Sequence, residues 1–264
     1  MENAEPTAEE GPFLSIVIPA YNEERRILKT LERVLAFLKA QPYTWEVLVV
    51  DDGSTDSTAG QVEELARGEQ GLRVLRLGHQ GKGWAVKQGM LDARGRFRFF
   101  CDADLAMPID QLPRFLERCT AGVPVVIGSR EAPGARRFGE PLPRHWMGRI
   151  FNGLVRLLAV PGIMDTQCGF KCFSSESAEA LFPAQRLKGF SFDVEVLFLA
   201  RQLGLPVEEI PIDWYHNPNS KVIPWRDVWV MSRDLLRIRL LHRRGRYLGS
   251  LEGMTKVKKR QHKV

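Results

Sequence analysis

The amino-acid sequence of 264 residues predicts an α/β protein whose mostly parallel central sheet is covered by helices on both faces. Short apolar runs, typical of strands buried on both faces, alternate with longer segments in which apolar residues recur at helical spacing. Polar, charged and glycine-rich residues directly follow each of five strand-like runs. Because ligands bind at the carboxyl ends of the strands in such sheets, these residues also mark a candidate site.

The first half of the chain shows the alternation most regularly. The first helix is the clearest element, because Ile27, Leu31, Val34 and Leu38 recur at three- and four-residue spacing. The strand-like runs are residues 13–18, 45–50, 72–77, 97–100 and 123–127, and the helix-like segments between them are residues 23–39, 55–67, 82–94 and 109–119.

The second half is less regular. Residues 131–143, rich in Gly, Pro and Arg, predict a mobile loop, and residues 165–173 predict a turn that leads into a short extended piece. Helices are predicted at 144–160, 192–203 and 224–241, and a strand at 207–214. We therefore divide the chain into a disordered N-terminus (1–12), a catalytic domain (13–223), an amphipathic helix (224–245) and a basic tail (246–264).

Composition excludes several classes of protein. Four cysteines are too few for a disulfide framework, and no second pair supports a zinc site at Cys168 and Cys172, so we expect reduced thiols and a cytoplasmic protein. We find neither a signal peptide nor the roughly 20 consecutive apolar residues of a membrane span. Residues 233–264 carry a charge of +9 within a total of +6. This basic end predicts peripheral attachment to an anionic membrane or to nucleic acid, with a solvated, disordered end as the alternative.

Asp102 and Asp104 are the sharpest chemical signal, because they follow the strand-like run 97–100 directly. A spacing of two in an extended segment puts both carboxylates on one side. Two adjacent carboxylates repel unless a cation lies between them, and oxygen ligands suit Mg²⁺ or Mn²⁺, which also bind phosphate oxygens. Helix capping by one of the two aspartates is the alternative. The position at a strand end favours a metal site.

Two further clusters suit a nucleotide. The carboxylates of residues 51–56, among them Asp52, can accept hydrogen bonds from a base or a ribose, although the same residues also suit the start of a helix. Lys82 lies between Gly81 and Gly83, where a lysine can reach a phosphate, but the spacing of a P-loop is absent. An exposed loop lysine is the alternative for Lys82.

Together these clusters resemble the family 2 glycosyltransferases, which have the GT-A fold of nucleotide-diphospho-sugar transferases. The matching segments are VIPAYNE (17–23), DDGSTDST (51–58), GKG (81–83) and DAD (102–104). Further segments look like dolichyl-phosphate β-glucosyltransferases and their bacterial and archaeal relatives, with dolichyl-phosphate mannose synthases next. These segments are GSR (128–130), DTQCGFK (165–171), FDVE (192–195) and the stretch 214–222.

The resemblance implies an inverting, metal-dependent glycosyltransferase that moves a hexose, glucose from UDP-glucose, onto a polyprenyl (dolichyl-type) phosphate. It implies a Mg²⁺ or Mn²⁺ ion on Asp102 and Asp104, and catalytic roles for Asp104 and Arg130. The implied donor-binding residues are Pro19, Tyr21, Glu23, Asp52, Lys82, Asp102 and Ala103. The implied acceptor-binding residues are Arg130, Gln167, Lys171 and Lys221, with surface charge as the alternative for the two lysines.

Some features depart from the family, and other functions stay open. Ala106 stands where mannose synthases usually have Gln, and Trp84 where relatives often have a smaller residue. Many family members also carry membrane-spanning helices, which this sequence does not predict. A GDP-mannose-dependent mannosyltransferase and an inactive, membrane-recruited nucleotide-sugar-binding module are the alternatives. We expect no nucleic-acid binding, because the aromatic and basic pattern of RNA-binding modules is absent.

The final helix predicts how such an enzyme reaches a lipid. At about 100° per residue, its apolar residues share one broad face and its arginines another. The apolar set is Trp225, Val228, Trp229, Leu235, Leu236 and Leu240. Trp beside Arg suits a helix in the headgroup region of a membrane, and packing on the catalytic domain is the alternative.

Overall fold

The structure, a computed structural model, describes residues 11–139, 153, 155, 159–217 and 224–247, and for residues 224–229 the backbone alone. Most of the predicted disordered N-terminus, most of the predicted helix 144–160, Lys221 and the tail from residue 248 lie outside the described residues. The domain boundaries at these places stay predictions.

A seven-stranded sheet in the order β3-β2-β1-β4-β7-β5-β8 forms the centre of the described part. Neighbouring strands are parallel except β7, which is antiparallel to both β4 and β5. The strands are β1 (Leu14–Ala20), β2 (Trp45–Asp51), β3 (Leu72–Arg76), β4 (Phe97–Cys101), β5 (Val125–Ser129), β7 (Phe170–Ser174) and β8 (Val207–Pro211), and a second, two-stranded sheet joins β6 (Arg136–Phe138) to β9 (Asp213–Tyr215).

Helices cover both faces of the sheet, because its central strands are apolar on both sides. In β2, Val47 and Val49 pack into one core and Leu48 and Val50 into the other. The first core takes residues from α1 (Ile27–Lys39), α2 (Thr58–Ala66) and α4 (Leu112–Thr120), and the second from α3 (Lys82–Asp92), α5 (Ser175–Leu181), α6 (Phe192–Gln202) and α7 (Pro224–Arg243). The predicted α/β fold with a mostly parallel sheet is confirmed.

The second half differs from its prediction in three places. β6 lies inside the predicted loop 131–143 and pairs with β9, where the Arg136 guanidinium also binds the Asp213 carboxylate. The predicted strand 207–214 is divided into β8 and β9, and β8 ends at Pro211, which has no N–H to donate. Helix α5, absent from the prediction, is capped by the preceding Ser174, whose side chain accepts a hydrogen bond from the Ser177 N–H.

The described part of α7 packs on the catalytic domain. Met231, Leu235 and Ile238, spaced by four and three residues, are buried in the second core. Leu236 is 63% exposed and Leu240 is exposed as well, so the predicted broad apolar face is divided: Leu235 packs on the domain, whereas Leu236 and Leu240 point outward. Within the described residues, none of the helices combines the length and apolar character that crossing a membrane requires.

Candidate active site

The loops that follow β1 and β2 are joined by hydrogen bonds between backbone and side chains. Asn22 donates its N–H to Ser54 Oγ at 2.9 Å and accepts from the Thr55 N–H at 2.8 Å through Oδ1. The Glu23 N–H donates to Thr58 Oγ1 at 2.7 Å. Asn22 has a φ of 51°, in the left-handed region that Asn adopts more readily than most residues. These hydrogen bonds therefore join the two loops at the carboxyl ends of β1 and β2.

Asp52 connects these two loops to the loop after β3. Its side chain is buried, and its carboxylate accepts hydrogen bonds from the N–H groups of Gln80 at 3.0 Å and Gly81 at 2.8 Å. His79 Nδ1 lies 2.9 Å from the same carboxylate, and the His79 ring stacks on Tyr21 with centroids 4.1 Å apart. Asp52 thus positions the loop that leads to Lys82, while a direct bond from Asp52 to a ligand stays a prediction.

Three further predicted donor-binding residues lie at or just after the carboxyl ends of β1 and β4: Pro19, Glu23 and Ala103. Pro19, half-buried in β1, lies in register with Val50 of β2. The Glu23 carboxylate forms an ion pair with Arg26 at 2.5 Å. The buried Ala103 accepts a hydrogen bond from the Thr30 hydroxyl through its carbonyl. These contacts are structural, and the implied donor-binding roles stay predictions.

Asp102 and Asp104 follow β4 in a turn rather than in the predicted extended segment. The Leu105 N–H closes the turn on the Asp102 carbonyl at 3.1 Å, and Leu105 itself has a φ of 42°. Both carboxylates nevertheless line one cavity. Burial raises the pKa of Asp104, and the charge of Asp102 raises it further. A cation at this place would relieve that repulsion.

Lys82, the first residue of α3, reaches over the end of β4. Its Nζ lies 2.6 Å from Asp102 Oδ1, so the alternative of an exposed loop lysine is wrong. Burial alone would lower the pKa of Lys82, but the carboxylates of Asp102 and Asp193 outweigh burial and raise it. The ammonium is therefore charged at neutral pH.

Gly169, directly before β7, lies against the carboxylate of Asp102. A Cβ at this position would come within 2.1 Å of Asp102 Oδ2, closer than any non-bonded contact allows. The missing side chain gives Asp102 the room it occupies. Gly169 is thus a functional residue that the sequence pattern placed in a motif without assigning it a role.

Arg130 is held at the end of β5 by a buried carboxylate. Its Nε and Nη2 donate to the two oxygens of Asp165 at 2.7 and 2.9 Å, and its backbone N–H donates at 3.0 Å. Burial alone would raise the pKa of Asp165, but the charge and hydrogen bonds of Arg130 lower it to about 2. The guanidinium also lies 5.6 Å from the centre of the Trp214 ring. Arg130 is therefore fixed in place and charged.

Lys171 forms a second buried ion pair. The side chain is 1% exposed, so the alternative of a surface charge is wrong. Its ammonium donates to Asp193 and to the Cys168 carbonyl, and it lies 5.3 Å from the Phe100 ring centre. Asp193 lines the cavity and Lys171 does not, so any effect of Lys171 on a ligand passes through Asp193.

Glu195 faces away from Asp193, as the helical spacing allowed. Its carboxylate accepts hydrogen bonds from the N–H groups of Arg186 and Leu187 at 2.9 and 2.7 Å and from the Tyr247 hydroxyl at 2.6 Å. Glu195 therefore holds the chain segments around it and contributes nothing to the cavity.

One cavity of about 190 Å³ brings five of the predicted site residues together. Lys82, Asp102, Asp104, Arg130 and Gln167 all line it. Sequence reasoning assigned no role to several other lining residues, which come from distant parts of the chain: Phe190, Trp214, Asn217 and Met231. Lys221 lies outside the described residues. The cavity therefore places three carboxylates, those of Asp102, Asp104 and Asp193, beside the cationic side chains of Lys82 and Arg130.

The carboxylates of Asp102 and Asp104 fit a divalent metal, although no group of three or more metal-binding side chains occurs among the described residues. Two carboxylates that leave further positions to phosphate oxygens are a usual Mg²⁺ arrangement. Gly169 leaves the room in which the Asp102 carboxylate itself lies.

A mostly parallel sheet carries paired carboxylates and a lysine at the carboxyl ends of its strands, the arrangement that the resemblance to GT-A glycosyltransferases implies. Residues 15–182 match the family described as Glycosyl transferase family 2. The chain belongs to this family.

Similar proteins cover most of the chain. It is 38% identical over 254 residues to the dolichyl-phosphate beta-glucosyltransferase of Drosophila melanogaster, covering 88% of this chain and 77% of the relative. It is 35% identical over 259 residues to the protein of the same name from Saccharomyces cerevisiae, covering 90% and 78%. A human protein of that name is 34% identical over 251 residues, covering 88% and 76%.

Among solved structures, the glucosyl-3-phosphoglycerate synthase of Mycobacterium tuberculosis in complex with Mn²⁺, UDP and glucosyl-3-phosphoglycerate has a similar fold. Its TM-score is 0.64 at 20% identity, covering 88% of this chain and 80% of that one. The same enzyme with Mn²⁺, UDP-glucose and phosphoglyceric acid gives a TM-score of 0.64 at 20% identity, covering 89% and 80%. This likeness confirms the GT-A fold.

Proposed function

We propose that this chain is an inverting glucosyltransferase that moves glucose from UDP-glucose onto the phosphate of a polyprenyl (dolichyl-type) phosphate. The observation that carries the proposal is one cavity in which Asp102, Asp104 and Lys82 come together with Arg130. The names of the relatives from fly, yeast and human support the same reaction.

The donor occupies the side of the site formed by the loops after β1 to β4. Its uridine lies against Pro19, Tyr21, Glu23 and Asp52 at the carboxyl ends of β1 and β2. Its diphosphate lies at Lys82 and at the turn of Asp102, Ala103 and Asp104. Asp102 and Asp104 would hold a Mg²⁺ or Mn²⁺ ion, which would supply positive charge beside the departing diphosphate. Lys82 adds a second positive charge beside Asp102.

The acceptor phosphate is bound by Arg130, with Gln167 beside it. A phosphate monoester loses its second proton near pH 6, so its oxygen attacks the anomeric carbon without a strong base. The new bond joins that oxygen to the anomeric carbon, while the bond to the diphosphate breaks and UDP leaves with the electron pair. Because attack is in line with the leaving group, the configuration inverts and the product is β-linked.

The decisive experiment is a donor screen with the full chain. UDP-glucose, UDP-galactose and GDP-mannose are each incubated with a short polyprenyl phosphate in Mg²⁺, Mn²⁺ or EDTA, and lipid-linked sugar is measured by mass spectrometry. We expect glucose transfer from UDP-glucose that EDTA abolishes. Transfer from GDP-mannose alone would establish the mannosyltransferase instead. UDP-glucose binding without any transfer would establish the inactive binding module.

Peripheral attachment to a cytoplasmic, anionic membrane surface is part of the proposal. Val230, Leu236 and Leu240 are exposed on α7, and arginines such as Arg233 and Arg237 are exposed between them. Each basic residue near an anionic surface adds roughly 1 kcal/mol of attraction.

Sedimentation with anionic liposomes tests the attachment. Tyr247 is buried and bonded to Glu195, so a truncation must begin at residue 248 to leave the fold intact. We expect salt-sensitive binding that weakens when residues 248–264 are removed. Equal sedimentation of both proteins would show that the tail is no anchor.

A further inference from the structure

A groove of about 720 Å³ opens beside the turn that carries Asp104. It is bounded by the C-terminal half of α1, by the segment 104–110 and by the end of β9. Most of its lining is apolar, and the members that matter here are Ala36, Phe37, Leu105, Pro108, Ile109 and Tyr215. Its charged residues away from Asp104, Arg33 and Asp110, are exposed to solvent, whereas Leu105 and Ile109 are buried.

This groove is continuous with the catalytic cavity. Asp104, Ala106 and Asn217 line both spaces, so a molecule bound in the cavity can extend into the groove without leaving the protein surface. The small side chain of Ala106 stands at this junction. An occupant therefore has a polar end in the cavity and an apolar remainder in the groove.

The size and chemistry of the groove fit a hydrocarbon chain. A cavity of about 150 Å³ holds one benzene molecule, so a groove of about 720 Å³ holds several five-carbon units in a row. At the end of β9, Tyr215 is 46% exposed and stacks on Phe138, with ring centroids 4.6 Å apart. This aromatic pair continues the apolar surface beyond the groove, where a longer chain would emerge.

We infer that the groove binds the isoprene units next to the phosphate of the lipid acceptor and so selects acceptors by their chain. The inference rests on the proposed function, because it takes the polar end in the cavity to be a lipid phosphate. It adds a second determinant to the site: Arg130 and Gln167 recognise the phosphate, and the groove recognises the first units of the chain.

Acceptors of increasing length test the inference. Phosphates with one to four isoprene units are compared at a fixed detergent concentration with UDP-glucose, and KM is measured for the wild-type chain. Removing apolar groups from water lowers KM until the groove is filled. We expect at least a tenfold fall in KM from one to four units, followed by no further change in longer chains.

Ala36 is the position for the blocking variants, because it is exposed on α1 and lines the groove. Ala36→Trp fills the groove and Ala36→Asp places a charge in it, so both should lose most of the chain-length advantage. Lys29→Trp and Lys29→Asp are the matched controls, since Lys29 is exposed on the same helix and does not line the groove. Thermal unfolding of all four variants verifies that the fold is kept.

The outcomes separate the two proposals. A chain-length dependence that is the same in the Ala36 and Lys29 variants overturns the groove inference and leaves the proposed function intact. Wild-type protein that glucosylates no lipid phosphate of any length overturns the proposed function and the groove inference together.

Discussion

The proposed donor side and the proposed acceptor side of the site are held by different interactions. On the donor side, the loops after β1, β2 and β3 share hydrogen bonds such as those of Glu23 with Thr58 and of Asp52 with Gly81. On the acceptor side, formed by the end of β5 and the start of β7, the buried ion pairs of Arg130 and Lys171 replace them. One hydrogen bond contributes about 0.5–1.5 kcal/mol, whereas breaking a buried pair costs about 3–5 kcal/mol. The acceptor side therefore depends on fewer contacts, and the loss of each one costs more free energy of unfolding.

Arg130→Ala should have the largest effect, because it leaves the buried Asp165 without its cation. We expect the free energy of unfolding to fall by about 3–5 kcal/mol in denaturant titrations. In the folded fraction, KM for the lipid phosphate should rise more than the Kd for UDP-glucose measured by calorimetry. The double variant Arg130→Ala, Asp165→Asn should recover stability without recovering acceptor use. An equal loss of donor affinity would contradict the acceptor assignment.

Asp104→Asn tests the paired carboxylates, which line the same cavity as Arg130 of the acceptor side. We expect turnover to fall by at least about 10²-fold, the scale of losing one charge-stabilising contact at a reacting centre. Glu32→Gln, which removes a charge from the exposed face of α1, is the control and should leave turnover unchanged. Full wild-type activity in EDTA would argue against a metal at this carboxylate.

Acid should weaken the acceptor side through Asp165. Its pKa in the folded chain is about 2, below the ordinary value of 3.8, so the unfolded chain binds more protons. The resulting stability is fully present above pH 3.8 and is lost as the pH falls through 2. We expect the wild type to lose about 2 kcal/mol more than the double variant between pH 5 and pH 2. Parallel pH profiles of the two proteins would refute this.

Gly169→Ala sharpens the comparison, because Gly169 belongs to the acceptor side and touches Asp102 of the donor side. The added Cβ must displace the Asp102 carboxylate, so we expect about tenfold lower turnover and weaker Mn²⁺ binding in calorimetry with UDP. Gly60→Ala, where a Cβ meets nothing within 4 Å, is the matched control. Wild-type Mn²⁺ affinity in Gly169→Ala would show that the Asp102 carboxylate can move away from the added Cβ without weakening the binding of the ion.

Thr58→Val should have the smallest effect, since it removes two loop hydrogen bonds from the donor side, in which the Thr58 hydroxyl accepts from the Glu23 N–H and donates to the Asp56 carboxylate. We expect stability to fall by about 1–3 kcal/mol and KM for UDP-glucose to rise a few-fold, with no change in acceptor KM. Thr55→Val, at an exposed neighbour, controls for the loss of a hydroxyl. A loss of stability as large as that of Arg130→Ala would remove the contrast between the two sides.

The same contrast explains what the sequence could predict. On the donor side the chemistry follows each strand directly, so Lys82, Asp102 and Asp104 were placed together from local pattern alone. On the acceptor side, the partner of Arg130 is 35 residues away, and that of Lys171 is 22 residues away. No local pattern gives such pairings. For the same reason the spacing of polar residues could not reveal that Lys171 is buried.

The fold shows the same limit. The sequence predicted the strands of the first half, because each is a short, mainly apolar segment that polar or glycine-rich residues follow directly. It could not predict that β7 lies antiparallel between β4 and β5, since strand order depends on contacts across the sheet. β6 was missed because its three residues, Arg136–Phe138, carry no alternation and lie in a stretch rich in Gly and Pro.

The antiparallel β7 also acts as a spacer between charges. It separates the end of β4, with its carboxylates, from the end of β5, with Arg130, by two strand spacings, or about 10 Å. Two phosphate-bearing substrates that meet in one site repel each other, and this repulsion weakens with distance. A sheet in which β5 followed β4 directly would hold the paired carboxylates and Arg130 about half as far apart. Under the proposed function, the antiparallel β7 thus sets how closely the donor diphosphate and the acceptor phosphate approach each other before the sugar is transferred.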